Sequence, residues 1–212
     1  PRVVVTGGAG FLGSHLCERL LREGHEVICL DNFFTGRRKN IHAYLADPNF
    51  ELVRHDVVEP LLLEVDRIYH LACPASPVHY QYNPVKTIKT NVLGTHNMLG
   101  LAKRTRARFL LASTSEVYGM CGDAEFDPEA SDLVLGPINK PRWIYSCAKQ
   151  LMDRVIHAYG QEQGLDYTLF RPFNWIGSGL DSINTAKEGS SRVITQFLGH
   201  IVRGEPIKLV DG

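Results

Sequence analysis

The hydrophobic positions fall into short β-branched or apolar runs separated by longer stretches with helical spacing. Val3-Val4-Val5-Thr6 is the first run, and Leu12, Leu16, Leu20 and Leu21 then recur on one helix face until Gly24 closes it. Residues 26–30 form a second apolar run that ends in Asp31. Further buried-type runs lie at 50–53, 67–71, 108–112 and 167–170, with helical stretches at about 85–104, 145–163 and 190–203. Strands without alternating polarity, separated by helices, imply a parallel sheet covered on both faces, because a sheet with one wet face shows a two-residue period. The expected fold class is α/β with a doubly wound parallel sheet. Residues 1–171 carry no linker, repeat or low-complexity tract and read as one domain. Over 172–212 the composition turns irregular, with Pro172, Gly177, Gly179 and Gly189, and reads as the start of a cap over a ligand site. The chain stops at Gly212 just after a strand-like run at 207–210, as though cut rather than finished.

Composition narrows the possible partners. Of 212 residues, 44% are hydrophobic and 22% charged, which excludes a disordered chain. Lys and Arg equal Asp and Glu at 23 each, so no net field draws the protein to nucleic acid or anionic lipid, and a small-molecule partner is expected. No apolar run approaches the roughly 20 residues of a membrane span, so no membrane contact is expected of this chain. It opens at Pro1 inside the first strand, which leaves room for an upstream anchor. The five cysteines, Cys17, Cys29, Cys73, Cys121 and Cys147, form no C-x-x-C pair and fit a reducing compartment. The nine histidines, among them His15, His42, His55 and His70, show no metal-ligand spacing and read as caps and surface residues, so no metal is expected.

Between the first strand and helix lies Gly7-Gly8-Ala9-Gly10-Phe11-Leu12-Gly13. It reads as G-x-x-G-x-x-G from Gly7 or G-x-G-x-x-G from Gly8. Either way, glycines let the backbone approach a pyrophosphate whose charge meets the free N–H groups of the helix start. Asp31 follows at the end of the next strand, 18 residues beyond Gly13. A carboxylate there accepts the adenosine ribose hydroxyls and repels a 2′-phosphate, which favours NAD over NADP. Arg37, Arg38 and Lys39 stand close by as the feature that pulls the other way. Asp56, after the third run, suits either the adenine amino group or a turn.

Ser113-Thr114-Ser115-Glu116 then places hydroxyls and a carboxylate at the C-terminal edge of the sheet, where open α/β sheets bind ligands. Tyr145 and Lys149 lie four residues apart, hence on one helix face. The lysine cation, with the positive nicotinamide ring of a bound dinucleotide nearby, is expected to lower the phenol's pKa toward working pH.

With these features the chain resembles the extended short-chain dehydrogenase/reductase family and, within it, the UDP-glucuronate decarboxylases. Through about residue 112 it is similar to the UDP-xylose-forming branch, in Asp31-Asn32-Phe33-Phe34-Thr35-Gly36, His55-Asp56-Val57-Val58-Glu59-Pro60, Pro74-Ala75-Ser76-Pro77 and Lys89-Thr90-Asn91. From Ser113 onward it is closer to the decarboxylases of lipid A aminoarabinose modification, in Pro141-Arg142-Trp143-Ile144-Tyr145-Ser146 and Phe170-Arg171-Pro172-Phe173-Asn174-Trp175. It departs from the first branch at Cys73, where serine is usual, and family members run on further, into a part that includes an arginine implicated in decarboxylation.

The resemblance implies a Rossmann fold and NAD held by Gly7, Gly10, Phe11, Leu12, Gly13, Asp31, Asn32, Phe34, Thr35, Gly36, Asp56, Val57, Leu71, Cys73, Thr90, Ala112, Tyr145 and Lys149. UDP-glucuronate would be contacted by Ala75, Tyr80, Lys89, Thr114, Ser115, Arg142, Asn174, Arg192 and Lys208, with Tyr80 equally suited to core packing. Catalysis would rest on Tyr145, Lys149, Thr114, Ser115 and Glu116, the last as acid/base of the decarboxylation. The expected product is UDP-xylose, with UDP-4-ketopentose and NADH as the alternative outcome. A nucleotide-sugar 4-epimerase or 4,6-dehydratase and a non-catalytic NAD-binding module are the rival readings. The resemblance further implies a homodimer through the helices at 85–104 and 145–163. The cysteine pattern points to the cytoplasm, or the Golgi lumen is the site if an anchor precedes Pro1.

Overall fold

The computed structural model describes residues 1–177, 179–180, 193–207 and 209. Six strands form one sheet in the order β3-β2-β1-β4-β5-β6: β1 (Arg2–Thr6), β2 (Glu26–Asp31), β3 (Phe50–Arg54), β4 (Arg67–His70), β5 (Arg108–Ala112) and β6 (Tyr167–Phe170). Every pairing is parallel, as expected for a doubly wound sheet. The order reverses between β1 and β4, so the crevice at their carboxyl ends is the switch point where such sheets bind ligands.

The helices are α1 (Phe11–Arg22), α2 (Pro77–Tyr82), α3 (Pro84–Thr105), α4 (Trp143–Gln163) and α5 (Val193–Arg203). α2 was not expected; Pro77 and Pro84 bracket too few residues for a periodic pattern. Asn83 ends it and starts α3, its side chain accepting the Lys86 amide at 3.0 Å. Among the described residues no helix is long and apolar enough to cross a membrane.

Alternate residues of the strands feed two cores. Val3, Val5, Val27 and Cys29 pack with Cys17 and Leu20 of α1. Val4, Ile28, Ile68, Phe109 and Leu111 pack with Met98, Leu99 and Ala102 of α3 and Met152 and Ile156 of α4. β1 and β2 are buried on both faces, as their unbroken apolar runs require. β4 and β5 depart from the expectation of two covered faces. Ile68, His70, Phe109 and Leu111 are buried, whereas Tyr69 and Leu110 are only half-buried. Arg67-Ile68-Tyr69-His70 does carry a two-residue period, and the buried set faces α3 and α4.

Two compact units make up the chain, Pro1–Phe173 and Asn174–Gly212. The second contains α5. Ile207 and Leu209 of the strand-like run at 207–210 are described and are not in a strand; its other residues lie outside the description.

Candidate functional site

β1 delivers the chain into Gly7, whose φ of +71° lies in the left-handed region and which has the Ala72 backbone 3.0 Å from where a Cβ would sit. Gly13 is the tighter constraint. A Cβ there would strike the Gly7 carbonyl oxygen and lie 2.6 Å from the Gly8 Cα, so the first turn of α1 presses on the loop before it. Gly10 caps α1 without a side-chain hydrogen bond, and no acidic residue sits in the first turn. Main-chain N–H groups and the positive end of the helix dipole therefore remain for an anion.

Asp31 ends β2 beside this turn, with 6% of its surface exposed. One oxygen accepts the Ala9 amide at 2.9 Å and the other the Phe33 amide at 2.7 Å. Burial raises its carboxyl above the ordinary value, against these two amides, which favour the ionised form. Gly36 folds over it, and a Cβ at Gly36 would lie 2.8 Å from both carboxylate oxygens. The Arg37 amide and the Asn40 side chain both bond the Ala9 carbonyl at 2.9 Å, docking this loop on the glycine turn. Asn32, Phe34, Thr35 and the Arg37-Arg38-Lys39 side chains are exposed.

Asp56 lies across from Asn32, which donates to it at 3.1 Å. The Lys86 ammonium is 2.5 Å away, and the Val58 amide bonds the other oxygen at 3.1 Å, which makes Asp56 a turn residue. Burial pushes its carboxyl up, but Lys86, Val58 and Asn32 together hold it below the ordinary value. Val57 is buried against α3, and a Cβ on Gly94 would meet its side chain.

The second cluster forms where β5 meets α4. Thr114 caps the short turn Ser115–Val117, accepting the Glu116 amide at 3.2 Å, and Ser115 donates its amide to the Pro172 carbonyl at 3.0 Å. Tyr145 is 5% exposed, lies close to the Thr114 hydroxyl and stacks on Tyr80 with ring centroids 5.0 Å apart. Lys149, one turn on, is buried and donates to the Ala112 carbonyl at 2.7 Å, its Nζ 6.0 Å from the Tyr145 ring centroid. Glu116 is half-buried; Ser146 donates to it at 3.3 Å, and burial raises its carboxyl, against the Arg142 charge and that hydrogen bond.

Tyr145 carries a strongly displaced ionisation of its own. Burial drives its phenol well above the ordinary tyrosine value, with Cys73, Glu116 and Tyr80 adding to the rise and Thr114 pulling down. Lys149 directs one of its N–H donors to the strand-end carbonyl.

Cys73, Thr90, Leu71 and Ala112 sit at strand ends or on α3 around these clusters, buried or half-buried. Ala75 and Arg142 are exposed, the Arg142 guanidinium lying 4.8 Å over Trp143, and Lys89 is exposed as well. Asn174 belongs to the second unit. Arg192 and Lys208 lie outside the described residues.

Sequence reasoning missed two polar groups. Arg171 at the end of β6 bonds Asp153 at 3.2 Å, the Tyr118 hydroxyl at 3.1 Å and the Pro128 carbonyl at 3.1 Å, tying α4 to the 118–128 segment. The only local signal was Asp153 one turn beyond Lys149. His70, read as a cap or surface residue, is instead fully buried between Thr6 and Thr95.

A parallel sheet with a glycine turn at its switch point, an acid after β2 and a buried Tyr-x-x-x-Lys pair beside strand-end hydroxyls defines a dinucleotide-binding protein of the extended short-chain dehydrogenase/reductase type. The chain belongs to the NAD dependent epimerase/dehydratase family, which matches residues 3–212. Membership implies NAD as the dinucleotide. It is 52% identical over 209 residues to UDP-glucuronic acid decarboxylase 2 of Arabidopsis thaliana, covering 97% of this chain and 44% of that protein. Among solved structures, the PbgP3 protein from Burkholderia pseudomallei is 45% identical with a TM-score of 0.79, over 100% of this chain and 64% of that one. The UDP-glucose 4-epimerase of Thermus thermophilus, solved in complex with NAD, is 28% identical with a TM-score of 0.76, over 98% and 64%. The chain spans about half the length of the curated relatives it matches.

Proposed function

We propose that this chain carries the NAD-binding and proton-transfer groups of a UDP-glucuronate decarboxylase that forms UDP-xylose. The observation that carries the reading is Tyr145, buried, beside Thr114 and close enough to Glu116 for their charges to interact, in a chain about half identical to a decarboxylase. The glycine cradle, the uncapped start of α1 and the carboxylate of Asp31 fit a dinucleotide, with Gly7–Gly13 at the pyrophosphate and Asp31 at the adenosine ribose. When bound, the oxidised dinucleotide supplies a hydride acceptor and a positive charge to this site.

Each residue then has a defined task. Tyr145 rests as a neutral phenol, and with a cation beside it becomes the base for the sugar C4 hydroxyl proton. Thr114 hydrogen-bonds the same oxygen and stabilises charge developing there. Lys149, anchored on Ala112, fixes a second positive charge next to the phenol. A C4 ketone makes the sugar acid a β-keto acid, which loses CO₂ because the ketone accepts the electron pair as an enolate. Glu116, whose carboxyl burial raises, delivers or removes the proton at the decarboxylated carbon. Ser115 and Arg142 face the sugar carboxylate and the diphosphate in this reading, with Tyr80, Ala75 and Lys89 as further substrate contacts. Leu93 and Leu151, exposed on α3 and α4, are proposed as part of a homodimer face. Free cysteines accord with the cytoplasm as its location.

Incubation with UDP-glucuronate and NAD, following CO₂, NADH absorbance and sugar product together, tests the assignment. CO₂ without accumulated NADH is the expected result. Equal CO₂ and NADH would replace UDP-xylose with the 4-ketopentose, and bound NAD with neither product would leave a non-catalytic module.

A further inference from the structure

We propose that His70 is a positioning residue for the dinucleotide seat, fixed as a neutral imidazole with its proton on Nε2, which braces the glycine turn against residues 71–73 and α3. The proposal rests on reading Gly7–Gly13 as an NAD seat.

Counting hydrogen atoms decides the tautomer. Thr6 and His70 are register partners at the ends of β1 and β4. The Thr6 hydroxyl oxygen accepts the Ala72 amide at 3.2 Å and the Leu71 amide at 3.2 Å, the latter shared with the Thr6 carbonyl at 3.1 Å. A hydroxyl has two lone pairs and one hydrogen. With both lone pairs engaged, the hydrogen goes to His70 Nδ1, 2.7 Å away. Nδ1 is then the acceptor, so the proton of the neutral ring sits on Nε2 and is donated to Thr95 Oγ1 at 3.1 Å. An imidazolium would present a second N–H to an oxygen with no lone pair left. Complete burial and the nearby Lys149 charge disfavour that form as well, taking the ionisation down to about 3.

This one ring spans three parts of the seat. Thr6 immediately precedes Gly7, and the Ala72 backbone lies where a Gly7 side chain would go. Thr95 stands one helical turn beyond Asn91, which bonds the Thr87 carbonyl at 2.9 Å. The floor under the turn is therefore spaced by a rigid polar group that adds no charge beside Lys149.

Long-range proton–nitrogen spectra of the imidazole, with NAD titrations of Thr6→Val, Thr6→Ser and Thr95→Val, test this on the intact chain. Expected are a pyridine-type Nδ1 and a protonated Nε2 from roughly pH 5 to 8. NAD should bind roughly tenfold more weakly to Thr6→Val and about threefold more weakly to Thr95→Val, with Thr6→Ser within about twofold of wild type. An Nδ1–H tautomer or an imidazolium overturns the proposal. So does a Thr6→Val protein that melts lower but binds NAD like Thr6→Ser, because that pattern is support of the fold alone. If wild type itself binds no NAD, the cofactor reading fails and this proposal falls with it; tight wild-type binding unaffected by the substitutions removes only the role of His70.

Discussion

The two ends of the strand-edge crevice are built from different materials. At the glycine turn, the working parts are empty volume and main-chain N–H groups: Gly13 leaves room for the Gly7 carbonyl, and Gly10 leaves α1 uncapped. At the β5–α4 end the parts are side chains whose ionisation is displaced by burial, Tyr145 and Glu116 upward. A site of the first kind fails when atoms are added, and one of the second kind fails when atoms are removed. The two ends should accordingly respond oppositely to mutation, one in affinity and the other in turnover.

The sharpest separation is expected from Tyr145→Phe. Removing the phenol oxygen should lower CO₂ release about 10³-fold or more, with NAD affinity within about twofold of wild type. Gly13→Ala should do the converse: its Cβ has nowhere to go, so NAD binding measured by titration should weaken by about a hundredfold. Retained affinity there would mean that the turn does not seat the dinucleotide. Thr114→Val should reduce kcat about a hundredfold and move the acidic limb of the pH profile to higher pH, because the Thr114 interaction that favours the phenolate is gone.

The effect of pH on stability is smaller and has a definite sign. His70 titrates near 6.5 when unfolded and near 3 when folded. Its depressed value makes its contribution complete above about 6.5 and progressively lost as pH falls toward 3, at up to about 1.4 kcal/mol per pH unit. The denaturation free-energy gap between wild type and His70→Gln should narrow over that window; a constant gap would show that the ring is already charged in the folded protein. The smallest change is expected from Lys86→Met. It frees a partly exposed Asp56 of its ammonium, and a shift of about twofold in NAD affinity is anticipated.

The parts that could be read from sequence are those whose causes are local. Val3–Thr6, the glycine turn, α1 and Asp31 follow one another within 31 residues, and each signals itself by spacing. The membership of the chain in its family was likewise legible, in motifs that remain contiguous. His70 was misread because its two partners are 64 and 25 residues away, so nothing around it in the chain announces burial. Tyr80 was open between sugar contact and core; the structure stacks it on Tyr145, a neighbour 65 residues distant that only α2 makes possible. The hydrogen bond of Lys149 was hidden for a related reason. Helical spacing places Lys149 on the same face, but it does not show that the ammonium turns toward the Ala112 carbonyl.

Asp31 has one more implication. Because its two oxygens already staple Ala9 and Phe33, the same carboxylate that would exclude a ribose phosphate also holds the loop in shape. Exchanging it for a small neutral residue would remove the repulsion and the scaffold together. A switch of cofactor preference in this protein is therefore a rebuilding of residues 31–40 as a unit, and no single substitution along that path is expected to gain affinity for either dinucleotide.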